Sequence, residues 1–500
     1  MHSWVGLKLS LLMFIVCVTG TLAVISHEVD WLINSKLRIE AQSNQAIDWE
    51  AMYANIQREY PNNTSIALNA PLYSNFASIA TVNDAERGVL RVFVNPYTGE
   101  VLGDAAWYAS FQRVVRDLHR YLLAPKGGIY LVGPLGVILL ISTITALFFY
   151  KRWWRGFFKI RLNNGSRAFW GSLHKVIGLW SLWFLLLIGI TGTWYLVEGI
   201  MSDAGMRIQH ERVLIDEDVL SKRPFMVEHI PVSEVITIAT QQFEHFSPNI
   251  IVIPRNQTSP IYVGGYADAL LSRPRANAVY IDPVSGDVLN VITTKGASAL
   301  LNWVDMADSL HFGNFAGLVV KLIWLVFGVL LCMMSASGIV VFVKRIQNRR
   351  DEGWVKTILG GARFLTYILL LVPLIFGSTI WLYSQNAIAF VLQEQEVLLL
   401  VEGDGEFPSA TMYIGTKDEN TVVHVSFNCA SACLPKKHRL ELVFSNGDAK
   451  KFKSGFSGFR GAPSAVFATS KVPTISHVSV TMDNQEVFQL KPTTRITTDE

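Results

Sequence analysis

Two distant stretches of this chain repeat one pattern, an apolar segment that opens on a histidine and closes on Thr-Gly-Thr. The first opens at His2 and closes at 19–21, and the second opens at His174 and closes at 191–193, so both features recur 172 positions later. A polar imidazole at the edge of hydrocarbon needs a partner. A duplication that keeps these histidines therefore indicates a role beyond packing.

The correspondence continues downstream of both stretches. Asn-Pro-Tyr-Thr-Gly-Glu-Val-Leu at 95–102 matches Asp-Pro-Val-Ser-Gly-Asp-Val-Leu at 282–289, and Leu-His at 118–119 matches Leu-His at 310–311. A further apolar run that ends in Lys-Arg at 151–152 matches one that ends at 344–345. Each repeat therefore consists of an apolar segment, a long polar segment and a second apolar segment.

The apolar runs are long enough to cross a bilayer. Half of the residues are hydrophobic, 17% are charged and the mean hydropathy is +0.31, values that favour a membrane protein over a soluble one. A membrane-spanning helix needs about 20 apolar residues. The sequence predicts a polytopic α-helical protein with five spans, at 1–25, 129–150, 176–197, 318–343 and 364–383.

Positive charges predict the orientation. The segments 151–175 and 344–363 are rich in Lys and Arg, which places them in the cytoplasm. The N-terminus is then cytoplasmic, the C-terminus is outside, and 26–128, 198–317 and 384–500 face the periplasm or its equivalent. The first run lacks the basic segment and the small-residue site of a cleaved signal, so we interpret it as an anchor.

The external segments carry signals of folded domains. In each repeat, alternating apolar residues flank a Pro-x-x-Gly turn, which predicts a β-hairpin, and a helix-like stretch lies upstream. Both segments therefore predict a small α+β domain, and 384–500 predicts a β-rich domain. Cys429 and Cys433 in that domain are spaced for a short-loop disulfide. A metal site with His424 and His438 is the weaker alternative, because the spacing fits no recognisable finger.

This ordered set of motifs resembles the PepSY-associated transmembrane family over about residues 1–347. The resemblance implies that the external segments of the repeats are PepSY-like domains. The family includes inner-membrane proteins linked to iron uptake, among them ferric-siderophore reductases that hold haem between their spans, which implies a haem-based electron path. Two features depart from the family: its first histidine usually follows some residues, and the fifth span and β-rich tail exceed its four-span core.

The predicted topology sorts the repeated histidines into two layers. His2 and His174 open spans at the cytoplasmic rim, whereas His119 and His311 precede spans at the outer rim. A b-type haem takes two axial imidazoles at one depth, so we expect His2 to face His174 and His119 to face His311, around one or two haems b. Taken singly, each is more often a rim residue bonded to backbone or water. His27 is a substitute for the outer site, although the second repeat has no histidine at the corresponding position.

Smaller features agree with this hypothesis but have ordinary alternatives. Glycines in the spans would let helices or a flat macrocycle approach closely, although glycine is common in spans: Gly6, Gly136, Gly178, Gly189, Gly192 and Gly328. Cations near the rims would neutralise haem propionates, although rim cations usually only extend toward water: Lys8, Arg120, Lys126 and Lys175.

The resemblance implies an oxidoreductase, and such a protein would depend on other molecules for electrons. It contains no dinucleotide fingerprint and no P-loop, and its cytoplasmic segments are too short for a flavin domain. We expect a quinol or a separate reductase as donor, a ferric chelate as acceptor, lipid as the surroundings and no nucleic-acid partner. The alternatives are a cofactor-free scaffold or sensor and a transporter. Against the transporter, the spans hold almost no charge and the repeats share one orientation.

Overall fold

The computed structural model describes residues 2–350 and a set of strands between residues 393 and 497. Within the first part it leaves out residues 43–44, 62, 85–87, 125–126, 151, 163–164, most of 207–228, 255–258 and 268, and it describes 2–8 and 346–350 by their backbone only. The predicted fifth span at 364–383 lies outside the described residues, and so do Cys429 and Cys433.

The described residues form ten α-helices. They are α1 (His2–Val24), α2 (Ser26–Ile33), α3 (Trp49–Glu59), α4 (Phe111–Tyr121), α5 (Ile129–Phe149), α6 (Ser166–Trp180), α7 (Leu182–Asp203), α8 (Val232–Gln241), α9 (Ala299–Phe312) and α10 (Gly317–Arg350).

Three of these helices, α5, α7 and α10, have the length and apolar character to cross a membrane. A fourth span forms if α1 and α2, which meet at a bend of 63°, are counted as one. The third span was expected at 176–197. In the structure the chain breaks at Ser181, which is fully buried, so that α6 leads into α7.

Each span packs against a span of the other repeat. The second span of one repeat contacts the first span of the other. Thus α5 lies on α7, and α10 lies on α1. Gly136 of α5 and Gly328 of α10, which correspond in the duplication, mark the two crossings. A Cβ at residue 136 would lie 2.7 Å from the backbone of Gly192, and one at residue 328 would lie 2.7 Å from Oγ1 of Thr21. The helices therefore approach closely at equivalent points, as small residues allow.

The external segments of the two repeats build one antiparallel sheet in the order β4-β3-β2-β1-β5-β6-β7-β8. Its strands are β1 (Asn63–Asn69), β2 (Ser78–Asp84), β3 (Gly88–Val94), β4 (Val101–Ala106), β5 (Ser247–Pro254), β6 (Ile261–Tyr266), β7 (Ala278–Ile281) and β8 (Val288–Ile292).

Pairing of β1 with β5 joins the halves at the centre of this sheet. The sequence predicted a small domain in each repeat, but the two segments share their sheet, and this pairing removes two strand edges that would otherwise be exposed. The predicted turns connect β3 to β4 and β7 to β8. Gly99 (φ 72°) and Gly286 (φ 78°) occupy the left-handed conformation there, which glycine adopts without steric cost.

Helices α3 and α8 cover one face of the sheet. Met52 and Ile56 of α3 and Val235 of α8 are completely buried against strand residues such as Val82 and Ile251. On the opposite face, Phe93 packs with Leu37 and Trp31 from the segment that leaves the membrane. That second face is therefore turned toward the ends of the spans.

The described C-terminal strands pair into a second antiparallel sheet of eight strands, in the order β13-β12-β15-β16-β9-β10-β11-β14. They are β9 (Gln393–Glu402), β10 (Ala410–Lys417), β11 (Asn420–Phe427), β12 (His438–Phe444), β13 (Ala449–Lys451), β14 (Ser464–Phe467), β15 (Ile475–Met482) and β16 (Gln485–Thr497).

Candidate functional site

His119 and His311 lie side by side where the two repeats meet. His119 is carried by α4 and His311 by α9, the short helices that precede α5 and α10. Their ring centroids are 6.2 Å apart and the ring planes are inclined by 42°. The structure thus brings together one of the two predicted histidine pairs.

The first span holds the His119 ring in a defined orientation. Nδ1 lies 2.9 Å from the carbonyl oxygen of Val16. Because a carbonyl only accepts, Nδ1 carries the proton and Nε2 keeps its lone pair. A Cβ at Gly20 would lie 2.7 Å from Cε1 of the ring. The glycine of the first Thr-Gly-Thr therefore leaves the space that the imidazole occupies.

His311 has the same tautomer by a different contact. Its Nδ1 lies 2.8 Å from Oγ1 of Thr191, and that hydroxyl donates to the carbonyl of Leu187 at 2.8 Å. Oγ1 must then accept from Nδ1–H, which again leaves Nε2 with the lone pair. The corresponding Thr19 stands 3.5 Å from Nδ1 of His119. The first threonine of each Thr-Gly-Thr thus lies beside the histidine of its own repeat.

Both imidazoles are neutral at neutral pH. Burial lowers the pKa of His119, and burial together with the neighbouring His119 lowers the pKa of His311 to about 3. A neutral imidazole whose other ring nitrogen is fixed by a hydrogen bond is the form in which histidine binds metals.

The spacing of the two rings suits two ligands of one metal. With metal–nitrogen bonds of about 2 Å, imidazoles bound end-on to one ion have centroids about 6 Å apart. Within the described part of the chain, no group of three or more His, Cys, Asp or Glu side chains is placed to hold a metal ion. Haem needs only two protein ligands, so the residues present fit a bis-imidazole haem.

The second predicted pair is seen in part. His174 lies on α6, where its Nδ1 is 2.9 Å from the carbonyl of Met334 and 3.1 Å from Oγ of Ser337. Its Nε2 therefore also keeps a lone pair. His2 begins α1, and its side chain lies outside the described residues. The pairing of His2 with His174 stays a prediction.

His27, the substitute for the outer site, belongs to a different cluster. It is on α2 and interacts electrostatically with Glu28 and Lys321. Nζ of Lys321 lies 2.7 Å from Oε1 of Glu28, and the same oxygen accepts from the hydroxyl of Tyr73 at 3.0 Å. The structure thus places His27 in a charged cluster at the end of the bent span rather than in the pair of rings.

Buried aspartates fix the helices that carry the paired histidines. Asp30 of α2 accepts from Oγ of Ser110 and from the backbone N–H of Phe111, both at 2.8 Å, and so caps the start of α4. Our sequence reasoning missed Asp30, although an acidic residue next to an apolar run is the signal that identifies such positions.

Asp308 belongs to α9 itself and ties that helix to α7 and to the external segment. It accepts from the hydroxyl of Tyr195 at 2.5 Å and forms ion pairs with Arg273 and Arg275, at the start and in the middle of a short turn between β6 and β7. Arg275 also binds Asp305 at 2.6 Å. The ring of Tyr195 packs edge-on against His311 at 5.1 Å. A polar network therefore links the external sheet to the histidine.

The predicted rim cations are placed unevenly. Arg120 is exposed on the last turn of α4, directly after His119, and its guanidinium lies 4.9 Å from the ring of Tyr121. Lys175 lies over the ring of Tyr150 at 5.7 Å. Lys126 and the side chain of Lys8 are outside the described residues.

Two comparisons relate this chain to known proteins. The sequence is 37% identical over 76 residues to the uncharacterized protein PA4219 of Pseudomonas aeruginosa, a stretch that covers 15% of this chain and 19% of that protein. The chain thus matches about a fifth of the length of this relative. The family described as the PepSY-associated TM region matches residues 1–345. The chain therefore belongs to the PepSY-associated transmembrane family of membrane proteins.

Proposed function

We propose that this protein holds haem and passes electrons across the bacterial inner membrane to chelated Fe(III) on the periplasmic side. The observation that carries this proposal is the pair His119 and His311, with centroids 6.2 Å apart and with each Nδ1 hydrogen-bonded, which leaves the lone pair on Nε2. When bound, haem supplies one-electron chemistry. Everything else in the site concerns how the chain holds and orients the two imidazoles.

The surrounding residues give this pair its ligand character. The Val16 carbonyl and the Thr191 hydroxyl hold the two Nδ1–H groups, which fixes ring orientation and keeps Nε2 unprotonated. Asp30 and Asp308 anchor the helices that carry the histidines. The positions of two imidazoles held in this way would change little when the iron gains or loses an electron. Such a small structural reorganisation favours electron transfer over ligand exchange.

A second haem site, the membrane topology and the external domains complete the proposal. A second haem between His2 and His174 would place one iron near each rim. Five spans, with the N-terminus in the cytoplasm and the C-terminal β-rich domain in the periplasm, would set the direction outward. The joined sheet would form the PepSY-like layer over the outer site. A quinol or a separate reductase would deliver the electrons, and a disulfide between Cys429 and Cys433 would form in the periplasm.

Optical spectroscopy of purified protein tests the proposal. Protein from haem-replete cells should show a Soret band and, on reduction, the α band of low-spin bis-histidine iron. His311→Gln should remove part or all of this spectrum, whereas His245→Gln, on an exposed loop beyond α8, should not. A folded but colourless wild-type protein would favour the cofactor-free scaffold or sensor instead.

A further inference from the structure

Helix α4 presents three arginines on one face, next to His119. Arg113, Arg116 and Arg120 follow one another at intervals of three and four residues, the spacing that aligns side chains on a helix of 3.6 residues per turn. The guanidinium of Arg113 lies 3.6 Å from the ring of Trp107. Arg120 is exposed and directly follows His119.

A fourth arginine approaches this face from the sheet. Arg91 lies on β3, is only 5% exposed and sits 5.8 Å from the ring of Phe93. Burial, followed by the positive charges of Arg116 and Arg91, lowers the pKa of Arg113 to about 10. The guanidinium groups of Arg91, Arg113 and Arg116 therefore form a positive cluster between the sheet and α4, and Arg120 continues that face of α4 toward α7.

The charge of this cluster is largely unbalanced. Among the residues that the structure describes, no carboxylate forms an ion pair with any of the four arginines. Asp30, which also interacts electrostatically with Arg91, caps α4, and Asp117 accepts from the hydroxyl of Tyr108 at 3.0 Å. Glu198 of α7 interacts electrostatically with Arg120. Concentrated, unpaired guanidinium groups attract anions, and they bind carboxylates and other planar oxyanions with two parallel hydrogen bonds.

The second repeat shows that the fold does not require these arginines. At the positions of α9 that correspond to Arg113 and Arg116, the chain has Asp305 and Asp308, which are already paired with arginines of the turn between β6 and β7. The same helix is thus neutralised in one half and left positive in the other. Such a difference between equivalent elements points to a ligand rather than to packing.

We propose that Arg91, Arg113, Arg116 and Arg120 bind an anionic ferric chelate, one whose iron is held by carboxylates or catecholates, and keep it beside His119. This inference rests on the proposed function and narrows its acceptor to a negatively charged class. An anion that carries several charges can contact the arginine of the strand and those of the helix at the same time. A phosphate headgroup in the outer leaflet would meet only the exposed end of α4.

Binding of a redox-inert analogue tests this site apart from electron transfer. The haem-loaded full chain, in nanodiscs of phosphatidylcholine, would be titrated calorimetrically with gallium(III) citrate, because Ga(III) has the charge of Fe(III) but is not reduced. Wild type should bind, and the affinity should fall as salt is raised. The double variant Arg116→Gln/Arg120→Gln should bind at least about tenfold more weakly, since each substitution removes a charge-assisted bidentate contact.

Two further variants make the outcome specific. Arg58→Gln removes an exposed cation of α3, far from His119 in the chain, and should leave the affinity within about twofold, as expected for an isolated surface charge. Arg116→Lys keeps the positive charge but loses the planar guanidinium that forms two parallel hydrogen bonds. The affinity of this variant for gallium(III) citrate should therefore lie between those of wild type and Arg116→Gln.

Three results would overturn the inference. The first is equal binding by wild type and the double variant. The second is binding only to phosphatidylglycerol nanodiscs, which would make the arginines a lipid site. The third is loss of the Soret band in the double variant, which would assign the arginines to haem propionates. A colourless wild type that still binds the gallium chelate through these arginines would refute the proposed function and leave the anion site standing.

Discussion

The two halves of this molecule share their backbone architecture and their paired histidines but differ in charge. Each half places a histidine on the helix before its second span, and each packs that histidine against its own Thr-Gly-Thr. At the outer rim, however, Glu28 and Lys321 of one interface correspond to Ile200 and Ile129 of the other. Duplication can thus supply a symmetric pair of histidines, while later substitution makes their surroundings unequal.

The largest effect is expected where one interface has an ion pair and the other has isoleucines. Lys321 is 6% exposed and Glu28 20% exposed, so Lys321→Ile alone should leave a carboxylate poorly solvated and cost about 3 kcal/mol. Adding Glu28→Ile would give this interface the composition of the other half and should restore most of the loss. Thermal and denaturant unfolding in detergent would measure both. A double variant as unstable as the single one would mean that the pair does more than balance charge.

The two helix crossings should respond differently to the same substitution. A Cβ at residue 136 meets the rigid backbone of Gly192 and Thr193, whereas one at residue 328 meets the side chain of Thr21, which can rotate. Gly136→Ala should therefore cost about 2–3 kcal/mol, and Gly328→Ala should cost less than half of that. The melting temperatures of the two variants, each compared with wild type, would measure this difference. Equal losses would show that the crossings are equally rigid.

Acid should destabilise haem-free protein through the paired histidines. The folded pKa of His311, about 3, lies below the unfolded value of about 6.5, so below pH 6.5 the unfolded chain binds a proton that the folded protein does not. Stability should fall as the pH drops from 6.5 toward 3, by roughly 2 kcal/mol at pH 5. His311→Gln should flatten this pH dependence of unfolding, and His245→Gln should leave it unchanged. If the pH dependence of unfolding persists in His311→Gln, other titrating groups cause it.

The smallest effect should separate the two threonines. Thr191 provides the 2.8 Å acceptor for Nδ1 of His311, whereas His119 also has the Val16 carbonyl at 2.9 Å. Thr191→Val should thus cost about 1 kcal/mol and shift the haem spectrum, while Thr19→Val should change neither measurably. Unfolding curves and difference spectra of the two variants would decide. An equal response would mean that both threonines act through packing.

Much of the architecture was predictable because it depends on local patterns. Apolar runs of about 20 residues identify α5, α7 and α10, since hydrocarbon requires them. The Pro-x-x-Gly motifs placed Gly99 and Gly286 at hairpin turns, because the conformation they adopt favours glycine. The break at Ser181 left no such signal, since the apolar run continues through it.

The site was predictable only in part. The duplication singled out His119 and His311, but nothing in the spacing along the chain indicated that Asp30 caps α4 or that Arg273 and Arg275 bind the aspartates of α9. These contacts join residues about 30 to 80 positions apart. They depend on how the sheet sits over the helices, which no local preference specifies.

The sequence by itself determined the family, the apolar helices and the identity of the repeated histidines, because hydrophobicity and internal repetition act residue by residue along the chain. Only the tertiary structure decided that the external segments merge through β1 and β5 and that His119 meets His311 at 6.2 Å. It also decided that the aspartates of α9 form ion pairs, whereas the arginines of α4 form none with the residues that the structure describes. Strand pairing and ion pairing are settled by which surfaces meet, and that follows from the packing of the two halves against each other.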